Sequence, residues 1–331
     1  MMHEQEKSDL SIVAMKLANK GGQPSAESME QRERAEGNAG ENRMCRTPSR
    51  VSVFQGLERV RQAAKGRKKE RFTALLHHVT VDLLRSSYFW LKRNAAAGVD
   101  GMTWKDYEQH LEADLTDLHA RVHRGAYRAL PSRRKYIPKA DGRQRPLGIA
   151  ALEDKIVQRA VAEVLNAIYE EDFLGFSYGF RPGRGQHDAL DALAVGISST
   201  KVNWILDADV SSFFDSVSHE WLIRFVEHRI GDQRVIRLIR KWLKAGVMED
   251  GKVIPTEVGT PQGAVISPLL ANIYLHYVFD LWADRWRRHH AKGNVIIVRY
   301  ADDSVVGFEY KSDANRFLVD MVANLRQCVS Q

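Results

Sequence analysis

Asp302 and Asp303 are adjacent in a short interruption between two apolar runs, and Asp209 closes another apolar run 93 positions earlier. Carboxylates beside buried strands are costly unless a cation compensates them. A divalent ion held by two or three of them is one such compensation, and Mg²⁺ takes oxygen ligands together with substrate phosphates. Plain turn chemistry is the other reading, because aspartate favours turns. Only the fold can unite residues so far apart.

Basic residues cluster elsewhere. Between Arg121 and Arg145 stand nine Lys or Arg against one acid, Asp141, with Tyr127 and Tyr136 interleaved. Such density suits phosphate contacts; a solvated basic loop is the alternative. Inside that window, residues 136–149 have hairpin character with a tip at Asp141-Gly142, so Lys139 and Arg145 are placed to grip a triphosphate. Gly259-Thr-Pro-Gln-Gly263 is either loop punctuation or a close backbone approach to a ligand. Residues 176–185 add aromatic and arginine groups that suit single-stranded nucleic acid. His77-His78 and His289-His290 lack matched partners and read as surface or core histidines.

The elements that must position these groups are legible. Residues 71–93 read as one helix. Thr103 opens another, with Asp106 as capping-box partner and Tyr107, Leu111, Leu115, Leu118 and Val122 on one stripe. Residues 152–169 repeat that style, and 221–243 form a helical region broken near Gly231. In 202–209 the alternation puts Val202, Trp204, Leu206 and Ala208 on one strand face, with Asp207 and Asp209 on the other. Residues 294–308 read as two strands around Tyr300-Ala-Asp-Asp303, a hairpin whose tip carries the carboxylates. Ser267-Pro268 is a good N-cap and N1 pair for a helix over 269–286. The last helix, from about Asp313, shows Phe317, Leu318, Met321, Val322 and Leu325 on one face.

Composition bounds the class. The 331 residues suggest about two structured units. An apolar share of 44% and a charged share of 27% are those of a soluble globular protein. Residues 1–50 hold eight acids and eight bases, so the net charge of +7 lies in the remainder and leans toward an acidic partner. With Cys45 and Cys328 as the only cysteines, a disulfide framework and a thiolate zinc site are excluded. No apolar run of membrane-spanning length and no secretion signal is present, so an intracellular, cytoplasmic chain without a membrane partner is expected. Residues 1–60 are expected to be a disordered extension, because their composition buries too little apolar surface.

In this order the pieces resemble the group II intron reverse transcriptase/maturase family. The carriers are Ala97-Gly-Val-Asp-Gly101, the 136–149 hairpin, Phe176-Ser-Tyr-Gly-Phe-Arg-Pro-Gly-Arg184 with His187-Asp-Ala-Leu190, Asp209-Val-Ser-Ser-Phe-Phe-Asp215, Gly259-Thr-Pro-Gln-Gly263 with Ile266-Ser-Pro-Leu-Leu-Ala-Asn-Ile-Tyr274, and Tyr300-Ala-Asp-Asp303. The likeness runs from about residue 71 to 331. Ala264 and Gly185-Gln186 depart from the usual pattern and lie away from the aspartates.

The resemblance implies an α+β, right-hand polymerase fold. Residues 61–200 would be a fingers-type region with N-terminal helices. Residues 201–331 would be the palm, its antiparallel sheet packed on helices. It implies RNA-directed DNA polymerisation by two-metal nucleotidyl transfer, with Asp209, Asp302 and Asp303 binding two Mg²⁺ and the Val210 carbonyl completing a metal shell. Lys139 and Arg145 match residues contacting nucleotide phosphates, Phe214 the bulky residue that rejects a 2′-hydroxyl, and Gln262 a glutamine along the nucleotide pocket. The implied partners are an intron RNA template, a DNA or RNA primer and dNTPs, in a bacterial cytoplasm, with no oligomeric state indicated. The family continues past this helix into a primer grip, thumb and maturase domain, so a thumb is expected to be absent here and the stripe of the last helix uncovered. The rival expectations are another bacterial reverse transcriptase (retron, CRISPR-associated or diversity-generating) and a non-polymerising RNA-binding splicing cofactor.

Overall fold

The computed structural model describes residues 11–14, 48–138, 144–210, 213–260 and 263–329. A short strand, β1 (Ser11–Ala14), precedes the helix α1 (Pro48–Gly66). A 3₁₀ turn (Leu76–His78) leads into α2 (Val81–Trp90), α3 (Trp104–Glu108) and α4 (Leu111–His123). The hairpin β2 (Ser132–Pro138) and β3 (Gln144–Ile149) follows, then α5 (Leu152–Tyr169) and α6 (Gln186–Ser199). The strand β4 (Trp204–Asp209) is succeeded by α7 (Phe213–Ser216), α8 (His219–Glu227), α9 (Gln233–Lys244) and the small hairpin β5 (Val247–Glu249) and β6 (Lys252–Ile254). Last come α10 (Ser267–Leu275), a π-helical turn (His276–Asp280), α11 (Leu281–His289), the hairpin β7 (Val295–Tyr300) and β8 (Asp303–Phe308), and α12 (Lys311–Val329).

This is an α+β arrangement with two sheets. One runs β1-β4-β8-β7 and is antiparallel throughout; the other runs β3-β2-β5-β6 with a parallel β2–β5 pair. The strand alternation foreseen for β4 holds, since Leu206 and Ala208 are buried while Asp207 and Asp209 are exposed. Its buried face packs with Trp286, Phe308, Phe317 and Met321 into a small apolar cluster beneath the first sheet. A larger cluster gathers the helices around α5, where thirteen of eighteen residues are buried. A helix buried over most of its length belongs at a centre, and α5 is that centre.

Several expectations change. Residues 71–93 are not one helix. Phe72 bridges to Ile230, and the Asp232 carboxylate accepts from the Leu75 and Leu76 amides at 2.8 and 3.0 Å. Thr80 then caps α2 by accepting from the Leu83 amide. A carboxylate 157 positions away captures amides that local periodicity would assign to a helix. The Thr103–Asp106 capping box forms, but the helix breaks after Glu108 and restarts at Leu111. The N-cap of α10 is Ile266, one residue earlier than foreseen, so Ser267 lies inside the helix, and the π-helical turn separates α10 from α11.

The stripe of the last helix is covered in part, with Leu318, Val322 and Leu325 half-buried. Phe317 and Met321 are buried, and Phe317 packs on Trp282, Trp286 and Phe308; among its described neighbours Val319 is the exposed apolar side chain. α1 crosses the expected boundary at residue 60, with Val60 and Ala64 buried in the larger cluster. No helix among the described residues is long and apolar enough to cross a membrane.

Candidate active site

The three aspartates meet at one end of the first sheet. β4 and β8 pair in a register that sets Asp209 directly opposite Asp303, and β7 pairs so that Tyr300 also faces Asp303. Facing residues on antiparallel strands have Cα atoms about 4.5–5.5 Å apart. Like charges so placed destabilise the pair, and a cation between them would relieve it. Asp302 occupies the turn beside them and is half-buried. Its pKa is raised, first by burial and then by the negative charge of Asp209, against the opposing pull of Arg145 and Arg299.

The turn itself is strained and held. Ala301 sits at φ 57°, a left-handed conformation that costs a side-chain-bearing residue about 1–3 kcal/mol. Behind it lies Arg299, 1% exposed, paired with Asp280 at 0%. Its Nε and Nη2 donate to the Asp280 carboxylate at 2.7 and 2.6 Å. Nη1 donates to the Ala301 carbonyl at 2.7 Å and to Asn272 Oδ1 at 3.1 Å, and Nη2 also reaches Ser177 Oγ at 2.7 Å. All five guanidinium N–H groups are thereby used. Asn272 in turn donates to the Gly179 carbonyl.

The 176–181 loop lies against the same turn. Its backbone exchanges hydrogen bonds with Arg299, and Phe180 is left-handed at φ 59°. A Cβ on Gly179 would stand 2.2 Å from the Ala301 nitrogen, so only glycine fits. The motif reads in three dimensions as a backbone support for the aspartate turn.

A second group of foreseen residues gathers beside α7. Phe214 is half-buried, rests on the larger apolar cluster and meets Phe213 edge-on. Its carbonyl accepts from the Thr260 amide at 2.7 Å. Gly259, at φ 86°, brings its backbone so close that a Cβ would lie 2.8 Å from that carbonyl. Phe214, Pro146, Arg134 and Thr260 line a cavity of about 230 Å³. Thr260 Oγ1 and Arg134 Nε are buried there without a hydrogen-bond partner among the described residues. Arg134 Nε does stand 3.8 Å from Glu249 Oε2 as an ion pair, and buried polar atoms are nearly always bonded, so it is the Thr260 hydroxyl that fits a polar ligand in this cavity.

Arg145 projects from β3 opposite Ile137, exposed, and its charge reaches Asp302. The Val210 carbonyl accepts from the Phe213 amide at 3.2 Å and so starts α7. Lys139 and Gln262 lie outside the described residues. Among the described residues no group of three or more histidine, cysteine or carboxylate side chains stands close enough to hold an ion unaided. Mg²⁺ does not need one, since it is commonly held through one or two carboxylates with water and substrate phosphates completing its shell. The donor set fits that ion.

Sequence reasoning missed Arg299, Asp280 and Asn272 as a support. A signal was present: β7 alternation gives Arg299 the same face as buried Ile297, an arginine where an apolar residue belongs.

Residues 137–330 match the family model described as reverse transcriptase (RNA-dependent DNA polymerase), more than half of the chain. The chain is 38% identical over 237 residues to Protein YkfC of Escherichia coli (strain K12), covering 63% of this chain and 62% of that protein. It is 36% identical over 222 residues to group II intron-encoded protein LtrA of Lactococcus lactis subsp. cremoris, covering 66% of this chain and 37% of LtrA. An uncharacterized 91 kDa protein in the cob intron of Schizosaccharomyces pombe is 46% identical over 146 residues, 44% of this chain and 18% of that protein. The chain thus spans less than two thirds of the length of each of these relatives.

Proposed function

The chain belongs to the reverse transcriptase (RNA-dependent DNA polymerase) family, and from that premise we propose that it extends a primer 3′-hydroxyl with deoxynucleotides on an RNA template, as a protein of group II intron type. The convergence of Asp209, Asp302 and Asp303 at one sheet end carries the reading. In it residues 61–200, with the β2–β3 hairpin, are the fingers, and residues 201–331, with β4, β7, β8, α11 and α12, are the palm.

Asp209, Asp302, Asp303 and the Val210 carbonyl would hold two Mg²⁺. Bound there, the ions would supply Lewis-acid activation of the primer hydroxyl and neutralisation of the leaving pyrophosphate. The protein's own contribution is positioning. Arg299, Asp280 and Asn272 fix the turn that carries Asp302, which spares the site reorganisation during reaction. Arg145 and Lys139 would bind the nucleotide triphosphate. Phe214 would close the pocket against a 2′-hydroxyl, and Gln262 would lie along the nucleotide pocket. The template would be intron RNA and the primer DNA or RNA.

Primer extension on poly(rA)/oligo(dT) with Mg²⁺ tests the reading. Incorporation of dTTP that disappears in Asp302→Ala is the expected result. RNA binding with no incorporation would instead favour a non-polymerising RNA-binding protein.

A further inference from the structure

The outer face of α9 is not used by the site described above. Its inner face, including Val235, Ile239, Trp242 and Leu243, is buried in the larger cluster. Outside stand Arg234, Arg237, Arg240, Lys241 and Lys244, with no acid in the helix. From Arg234 to Lys244 they cover about 15 Å at 1.5 Å per residue.

The turn after α4 is fastened to this face. Lys241 donates to the Tyr127 carbonyl and, at 3.4 Å, to that of Gly125. Arg124 and Arg128 of the same turn are exposed and extend the basic surface. Thus the dense basic window of the sequence and the separate basic face of α9 become one patch.

Two of the acids near this patch are already used, while exposed Glu257, which lines a groove together with Arg240 and Lys244, has no ion pair among the described residues. Asp232 is paired with Arg234 at 2.8 Å, and Glu227 with Arg240 at 3.3 Å. Arg124, Arg128, Arg237 and Lys244 carry no ion pair among the described residues. None of these four lines the cavity beside Phe214.

We propose that the outer face of α9 and the 124–128 turn form a second RNA-binding surface, which takes the phosphate backbone of double-helical RNA away from the polymerising site. Arginine forks match phosphate oxygens in pairs. The outer face of α9 shows no exposed large apolar side chain, which the centre of a protein interface would require. Phosphate contacts need none. The proposal rests on the nucleic-acid reading above, but not on polymerisation.

The test is binding of a closed, blunt RNA hairpin, followed by fluorescence anisotropy over a KCl series of about 50 to 200 mM. The probe has no template overhang and no extendable primer end. The variant combines Arg124→Ala, Arg128→Ala, Arg237→Ala and Lys244→Ala. Removing one phosphate-neutralising cation should flatten the log–log salt slope by about 0.9, so the four together should remove about 3 to 4. A second variant with Arg124→Lys, Arg128→Lys and Arg237→Lys keeps the charge and should keep the slope. Circular dichroism of both variants guards against misfolding. An unchanged slope in the alanine variant would overturn the proposal. So would a polyglutamate chain that displaces the hairpin from the parent at equal charge and no longer binds the alanine variant, since that assigns the face to an acidic protein. A parent that extends no primer would remove the polymerase reading and leave this slope as it is.

Discussion

Two hairpins of this molecule carry the groups that matter, and they are built in opposite ways. β7–β8 is enclosed: β8 lies between β4 and β7, and its turn is held by a fully buried arginine and by a glycine with no room for a Cβ. β2–β3 is rooted at buried Ser132 and Gly148, then stands out with Tyr136, Ile137 and Arg145 exposed. On the proposed reading, the difference follows from what each would do. Carboxylates that share a cation need fixed separations, and only a packed, hydrogen-bonded support supplies them. A cation that meets a triphosphate acts over distance, as the pull of Arg145 on Asp302 illustrates, and it can stand in solvent.

The sharpest way to break the comparison is to remove a carboxylate. In Asp209→Ala or Asp302→Ala we expect primer extension below about one-thousandth of the parent rate, because the ion loses a ligand. RNA affinity should stay within about twofold, since anionic groups do not attract phosphate. A comparable loss of RNA affinity in both variants would count against the metal assignment.

Next in size is the support itself. Arg299→Leu leaves Asp280 charged and unpaired in a dry interior, which costs about 3–5 kcal/mol. Adding Asp280→Leu to that variant should recover part of the loss. Arg145→Ala, on the exposed hairpin, should change stability by no more than about 0.5 kcal/mol. Urea unfolding of the variants measures the contrast. Equal losses at Arg299 and Arg145 would erase the distinction between the hairpins.

The same contrast explains what is legible in the sequence. Helix α5, the alternation of β4 and the Tyr300-Ala-Asp-Asp303 hairpin can be read because local periodicity and turn chemistry decide them. The meeting of Asp209 with Asp303 is a matter of register between strands distant in sequence, and only the family resemblance anticipates it. The Arg299–Asp280–Asn272 support escapes sequence reasoning, because its partners come from β7, the π-helical turn and α10. The 71–93 stretch misleads for a similar reason, its amides being taken by Asp232. Long-range polar capture leaves no periodic trace.

A smaller effect probes the root of the exposed hairpin. Asp154 accepts from Tyr127 Oη and, at 3.0 Å, from the Leu130 amide just before β2. Burial raises its pKa to about 6 from an ordinary 3.8. Between those values the folded protein binds the proton more tightly than the unfolded chain, so this group makes stability fall as pH rises from about 4 to 6. The full shift corresponds to about 3 kcal/mol at most. Asp154→Asn should flatten that slope in urea unfolding at a series of pH values. A slope identical to the parent's would mean that the carboxyl is not protonated in the fold.

Phe214→Val should have the smallest effect and sharpen the reading of the pocket. The ring is half-buried against the larger cluster, so its truncation should lower stability less than the loss of a fully buried phenylalanine. Its backbone links to Thr260 and Gly259 do not depend on the side chain, so the pocket wall stays in place. What changes is the space beside Pro146. A few missing carbon atoms in a pocket alter discrimination by about 1–3 kcal/mol, or about 10- to 200-fold. Incorporation of GTP relative to dGTP should rise by an amount in that range, with dGTP use little altered, because a smaller side chain admits the 2′-hydroxyl without improving contact to the deoxyribose. Unchanged discrimination would show that the ring is a packing element of α7 and that the pocket is closed by another group.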